Sequence, residues 1–197
     1  VHAVALAINQ TLGNLGSTVI VTDPVEARPA LKMESIAELA RDMDAGRVEI
    51  LVTTIGNPAY NAPADLDFAR RLEKVGLRIH LGAYVDETAE LCHWHIPETH
   101  PLEAWSDARA WDGTVSLMQP LIAPLYEGRS AHEFAAALAG QTDRTGHDLV
   151  RDHWKKASGA VDFEAWWRKA LHDGVIEGSG FAARTVGPVN LATLPPA

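Results

Sequence analysis

The sequence predicts an α/β fold with a mainly parallel sheet and a helical C-terminal appendage. Three observations carry this reading. Short apolar runs rich in β-branched residues alternate with stretches of helical periodicity. Glycines stop the helical stretches at regular intervals. After about residue 105 the strand signal fades and aromatic helical patterns take over. Strands alternating with helices at this spacing imply right-handed βαβ units and a Rossmann-like three-layer arrangement.

Residues 2–12 place Val4, Ile8, Thr11 and Leu12 on one helical face, with Gly13 as the stop. "STVIVTD" (17–23) reads as a short buried strand. In "SIAELARDMDAG", Ser35 and Glu38 have the spacing of a capping box. Ile36, Leu39, Ala40 and Met43 then recur at helical spacing up to Gly46. "VEILVTTI" (48–55) is a second strand, "ADLDFARRLEKVG" a helix, "LRIHLG" (77–82) a third strand and "LCHWHIP" (91–97) a fourth. Beyond these, "RSAHEFAAALAG" carries a second box at Ser130 and Glu133. "GHDLVRDHWKKA" and "DFEAWWRKALHDG" complete the helical part, the latter with Phe163, Trp166, Trp167, Ala170 and Leu171 on one face. We expect residues 1–129 to form the Rossmann-like domain and 130–197 a helical appendage packed on it. The Val1-His2 start and the "LATLPPA" end lead us to expect a segment of a longer protein.

Composition narrows the function. The chain has 197 residues, 47% of them hydrophobic, enough for one well-buried core. Its formal net charge is −9 and no basic run occurs, which disfavours a nucleic-acid partner. No apolar run approaches the roughly 20 residues that span a bilayer. A single cysteine excludes an internal disulfide, and an iron–sulfur cluster held by cysteines of this segment alone.

In an open parallel sheet, ligands bind beyond the carboxyl ends of the strands. There "TTIGNPAYNAPADL" (53–66) runs from a strand through Gly56, Asn57 and Pro58 into a helix. Glycine lets a ligand approach the backbone, and asparagine offers both a donor and an acceptor. The same residues also make an ordinary turn. "EGSGFAAR" contains Gly178-x-Gly180-x-x-Ala183, but it lacks the preceding strand that a dinucleotide fingerprint needs. Cys92, His93, His95 and His100 raise a metal-binding module as an alternative. As a strand the stretch would split these ligands, His93 and His95 to one face and Cys92 to the other. His80, on the neighbouring strand, could approach. We expect no metal there, with the histidines bonded to backbone or to carboxylates such as Asp86, Glu87 and Glu90.

The runs "VHAVALAINQTLGNLGSTV", "LVTTIGNPAYNAPADLDFARRLEKV" and "DETAELCHWHIPETHPLEAWSDARAWDGTVSLMQPLIAPLYEGRS" together resemble the molybdopterin oxidoreductases of the dimethyl sulfoxide reductase type. The matching marks are Gly56-Asn57-Pro58, Thr88-Ala89, Ile96-Pro97 and Glu103. The stretches "LCHWHIPETHPLEAWSDARAWDGT" and "FEAWWRKALHDGVIEG" look closer still to the iron–sulfur B subunit of alternative complex III. The resemblance implies a domain of a multi-domain quinol:electron-acceptor oxidoreductase subunit, not catalytically complete by itself. It implies cofactor-pocket positions at Gly56, Asn57, Pro58, Asp86 and Thr88, in a vestigial pocket without its own cofactor. An active enzyme with molybdopterin guanine dinucleotide is the alternative. The resemblance further implies 4Fe–4S clusters elsewhere in the full chain. It implies partners among the other domains and subunits of a membrane respiratory complex, on the periplasmic side of a bacterial inner membrane. Cys-His-Trp-His stands where the wider family has an apolar or acidic run.

Overall fold

A computed structural model of the chain describes residues 2–26 and 32–187. Helix α1 (His2–Thr11) forms as expected and ends at Gly13, whose φ of +71° suits only glycine well. Its face bearing Val4, Ile8 and Leu12 is exposed. The run 17–23 departs from expectation. Among the described residues it makes no sheet strand, only an isolated bridge between Leu15 and Val19. Gly16, also at positive φ, donates to the Val19 carbonyl (2.9 Å) and folds the chain into a tight loop before a strand can extend. The Val21 carbonyl instead accepts from the Arg184 amide (2.7 Å), and Arg184 pairs with Asp23 (2.7 Å).

Helix α2 (Lys32–Asp44) starts before the Ser35–Glu38 box, so Ser35 lies inside its first turn and does not cap it. Glu34 supplies the first-turn negative charge that the helix dipole favours. Strand β1 (Ile50–Thr54), helices α3 (Pro58–Asn61) and α4 (Phe68–Leu72), strand β2 (Leu77–Gly82), helix α5 (Glu87–Glu90) and strand β3 (Trp94–Pro97) follow. The three strands lie in the order β1-β2-β3 and all are parallel, so the α/β reading holds. The helix expected over 64–76 breaks at Asp67, which takes a left-handed conformation (φ +43°) between a 3-10 turn at Ala64–Leu66 and α4. Aspartate tolerates that region better than most residues. Past the break, Phe68, Leu72 and Val75 are buried against Ala40 and Met43 of α2, with Leu51 of β1 packed beside them. Leu51, His80 and His95 share this covered face by strand alternation. The opposite face carries Ile50 and Trp94, which are 58% and 64% exposed.

A second sheet was not anticipated. It consists of β4 (Ser106–Arg109), β5 (Val115–Met118) and, after three helices, β6 (Val175–Ile176), all antiparallel. The helices are α6 (Ala131–Leu138), α7 (Gly146–Ala157) and α8 (Phe163–Asp173). The stretch expected to be helical therefore also contributes a strand. The hairpin signal was present in Asp112-Gly113. Asp112 accepts from the Thr114 amide (2.9 Å), while Gly113 turns at φ +89°. Flanking strands of four residues were too short for periodicity to reveal. The core between this sheet and its helices joins Val115, Leu117, Val150, Trp154, Trp167, Ala170 and Ile176. The Ser130–Glu133 box caps α6 as expected. The second carboxylate oxygen of Glu133 accepts from the Gly146 amide (3.1 Å) and ties α6 to the start of α7.

Candidate functional site at the strand ends

At the end of β1 the chain turns through Ile55 (φ +51°) and Gly56 (φ +132°). A β-branched residue in the left-handed region costs on the order of 1–3 kcal/mol and persists only where its surroundings hold it. The support is a polar clamp. Thr88 Oγ1 donates to Asn57 Oδ1 (2.8 Å) and accepts from the Ala59 amide (3.0 Å). Asn57 Nδ2 donates to the Glu87 carboxylate. Asp86 Oδ1 caps α5 by accepting from the Ala89 amide (2.9 Å).

The five expected pocket residues thus meet at one corner, between the end of β1 and the start of α5. The side-chain polar atoms of Asn57 and Thr88, and one carboxylate oxygen of Asp86, are already engaged. Asn57 uses both its amide nitrogen and its oxygen, and Thr88 both donates and accepts. They shape the crevice more than they line it with free donors. Thr88 is fully buried. We expect Thr88→Val to lose about 2 kcal/mol of stability, because it strands the Ala59 amide and Asn57 Oδ1 without partners. Urea unfolding measures this loss, and an unchanged midpoint would mean the clamp carries no load.

Beside this corner lies a cavity of about 250 Å³, walled by Ile55, Glu98, Pro101, Met118, Ser130 and His132. Burial pushes the Glu98 carboxyl up, against the pull of nearby His80. On its far wall His132 Nε2 contacts Asp107 Oδ1 (3.2 Å), and Asp107 Oδ2 accepts from Trp154 Nε1 (2.8 Å). The hydrogen bond from His132 holds the Asp107 carboxyl low, and the same bond raises the His132 imidazole. Sequence spacing offered no signal for this pair, because its members come from β4 and α6.

The candidate metal stretch is dispersed. His93 Nδ1 accepts from the Arg78 amide (3.0 Å), and His100 Nδ1 from the Leu102 amide (3.1 Å). Both are therefore bonded to backbone. Burial pushes the Cys92 thiol up, toward its neutral form. His95 meets His80 instead. Among the described residues no three His, Cys, Asp or Glu side chains are placed to hold one metal ion.

No family model matches the chain. It is 30% identical over 149 residues to the menaquinone reductase, molybdopterin-binding-like subunit of Nitratidesulfovibrio vulgaris, an alignment covering 71% of this chain. The chain spans 20% of that relative's length. Among solved structures it is similar to acetylene hydratase from Pelobacter acetylenicus, at 18% identity with a TM-score of 0.48. That match covers 53% of this chain and 15% of the other. The sequence relation is thus to a molybdopterin-oxidoreductase-like protein.

Proposed function

We propose that this chain is a domain of a multi-subunit, quinone-linked oxidoreductase of the kind represented by alternative complex III, and that its strand-end corner keeps the shape of a molybdopterin-enzyme pocket without holding the cofactor. What supports the quinone-linked, multi-subunit part is the 30% identity to a menaquinone reductase subunit over 71% of the chain; the likeness to alternative complex III rests on the resemblance of the Cys-His-Trp-His and "FEAWWRKALHDGVIEG" stretches.

The second half rests on fit. Molybdopterin guanine dinucleotide is anionic, and helix N-termini with free amides are the usual cradle for phosphate. Here α3 opens with Pro58, which has no N–H to give. At the start of α5 the Ala89 amide is taken by the Asp86 carboxylate. Glu87 and Glu98 add acidic groups to the same corner, and the adjacent cavity of about 250 Å³ is below the ~300 Å³ at which drug-sized pockets begin. These residues do not fit a bound dinucleotide, so no chemical step is assigned to one. In this reading the domain works as a scaffold within the complex. Electron carriers, including 4Fe–4S clusters, would sit in other parts of the full protein. Elemental and pterin analysis of the intact protein tests it. We expect no stoichiometric molybdenum or pterin, and finding either would favour an active molybdenum enzyme instead.

A further inference from the structure

His80 and His95 face each other in register across β2 and β3. Their rings stack with centroids 5.2 Å apart and planes 21° apart, and their Nδ1 atoms are 2.9 Å apart. Two imidazole nitrogens at that distance cannot both be bare, since their lone pairs would oppose. Nor can both be protonated, since two N–H groups would collide. One proton must lie between them. His80 is 1% exposed and cannot easily turn away. Gly82, two residues on and on the same face, makes room for its ring: a methyl group there would sit 2.5 Å from His80 Cε1.

The far nitrogen of His80 points to the direction of that bond. Nε2 faces Asp86 Oδ1 across 3.8 Å, beyond hydrogen-bond reach, but the carboxylate's charge favours a proton on that side of the ring. With its proton on Nε2, His80 accepts at Nδ1 in the neutral pair, and His95 then carries its proton on Nδ1, the less common tautomer for a free imidazole. The outer Nε2 of His95, a partly exposed residue, is left as the open acceptor.

We propose that His95, His80 and Asp86 form a relay that binds a single exchangeable proton at the strand-end corner. A proton taken up at His95 Nε2 is matched by transfer of the Nδ1 proton from His95 to His80. His95 is neutral again, and the positive charge rests on His80, beside Asp86. No electron moves and no other reactant is needed. Other groups around the pair agree with this placement. Glu98, just past β3, is close enough to sense the charge of His80. Burial and the neighbouring His80 hold His95 below the ordinary histidine value, so the pair resists taking a second charge. Arg78, lower on the same strand, is turned away by bonds to the Leu91, Glu73 and Val75 carbonyls. Cys92 is held toward its neutral thiol. The relay stands on the geometry of this chain alone, so its fate is separate from that of the proposed function.

Long-range proton–nitrogen NMR of the histidine-labelled protein between about pH 5 and 8 tests it. We expect His95 in the Nδ1–H form at high pH, and uptake of one proton by the pair over the whole range. Asp86→Asn keeps an oxygen to cap α5 but removes the charge, and it should weaken the proton affinity of the pair several-fold. His80→Gln should return His95 to the common Nε2–H form. Independent uptake of two protons, or a midpoint unmoved by Asp86→Asn in a folded variant, overturns the proposal.

Discussion

Replacing Trp167 with alanine is expected to cost about 3–5 kcal/mol, enough to unfold most marginally stable domains. Trp167 is 4% exposed and sits at the centre of the second core. Its ring stacks near Trp105 (6.4 Å), Phe163 (5.9 Å) and Trp166 (6.5 Å). These partners come from the loop before β4 and from α8 itself. Truncation would open a void that fixed neighbours on several elements cannot fill, because α8 is held at both ends. Asp162 caps its start, and Gly174 closes its end in the left-handed conformation. Trp167→Phe should lose clearly less, since it keeps an aromatic body in the stack. Chemical denaturation followed by circular dichroism measures both. A loss under about 1 kcal/mol for the alanine variant would show that the helices do not share one core with the antiparallel sheet.

Asp107→Ala is the second large effect, expected near 2–3 kcal/mol around pH 5–6. One carboxylate serves two partners there, the Trp154 indole N–H and the His132 imidazole. Removing it leaves the indole of a largely buried tryptophan without an acceptor. The effect also depends on pH in a defined sense. His132 is raised in the folded state, so its contribution is complete below the ordinary histidine value of about 6.5 and is lost as pH rises through its folded value. Asp107 is depressed, so its contribution is present above about 3.9 and is lost as pH falls through its folded value. The stability difference between the protein and its Asp107→Ala variant should therefore be largest between roughly pH 4 and 6.5. It should shrink on both sides without vanishing at high pH, where the Trp154 bond persists. Stability curves for the two proteins across pH 3–9 check this, and parallel curves would remove the ion pair from the account.

Strand β1 was readable as a compact β-branched run bounded by turn residues, while β2 and β3, interrupted by Arg78, His80 and His95, were readable from their place between helical stretches. The helices α6, α7 and α8 were readable from caps and aromatic spacing. The run 17–23 misled because its β-branched residues carry strand propensity without a neighbour to pair with. Propensity on that scale yields to context. The antiparallel sheet stayed hidden because its third member is two residues long and is defined only by where α8 delivers it. The same distinction applies to the site. Gly56, Asn57 and Pro58 are contiguous, and their position at a strand end followed from the α/β pattern. That Thr88 locks Asn57, and that His80 meets His95 atom to atom, depends on the register between strands. Spacing along one strand could bring His80 near without fixing that contact. The Asp107–His132 pair lies further out of reach, since neither residue belongs to a recognisable motif.

The pairing of β5 with β6 has a consequence for how the molecule comes into being. Val115 finds Ile176 only after the whole helical stretch between them has been made. Joining points about sixty residues apart carries a chain-closure penalty that local pairings avoid. The three parallel strands, by contrast, join segments close along the chain. During synthesis the parallel sheet can assemble first, while the hairpin of β4 and β5 waits with its apolar side uncovered. The chain is then most vulnerable to mispairing in the interval before its last strand arrives, and a truncation short of Ile176 would make that interval permanent.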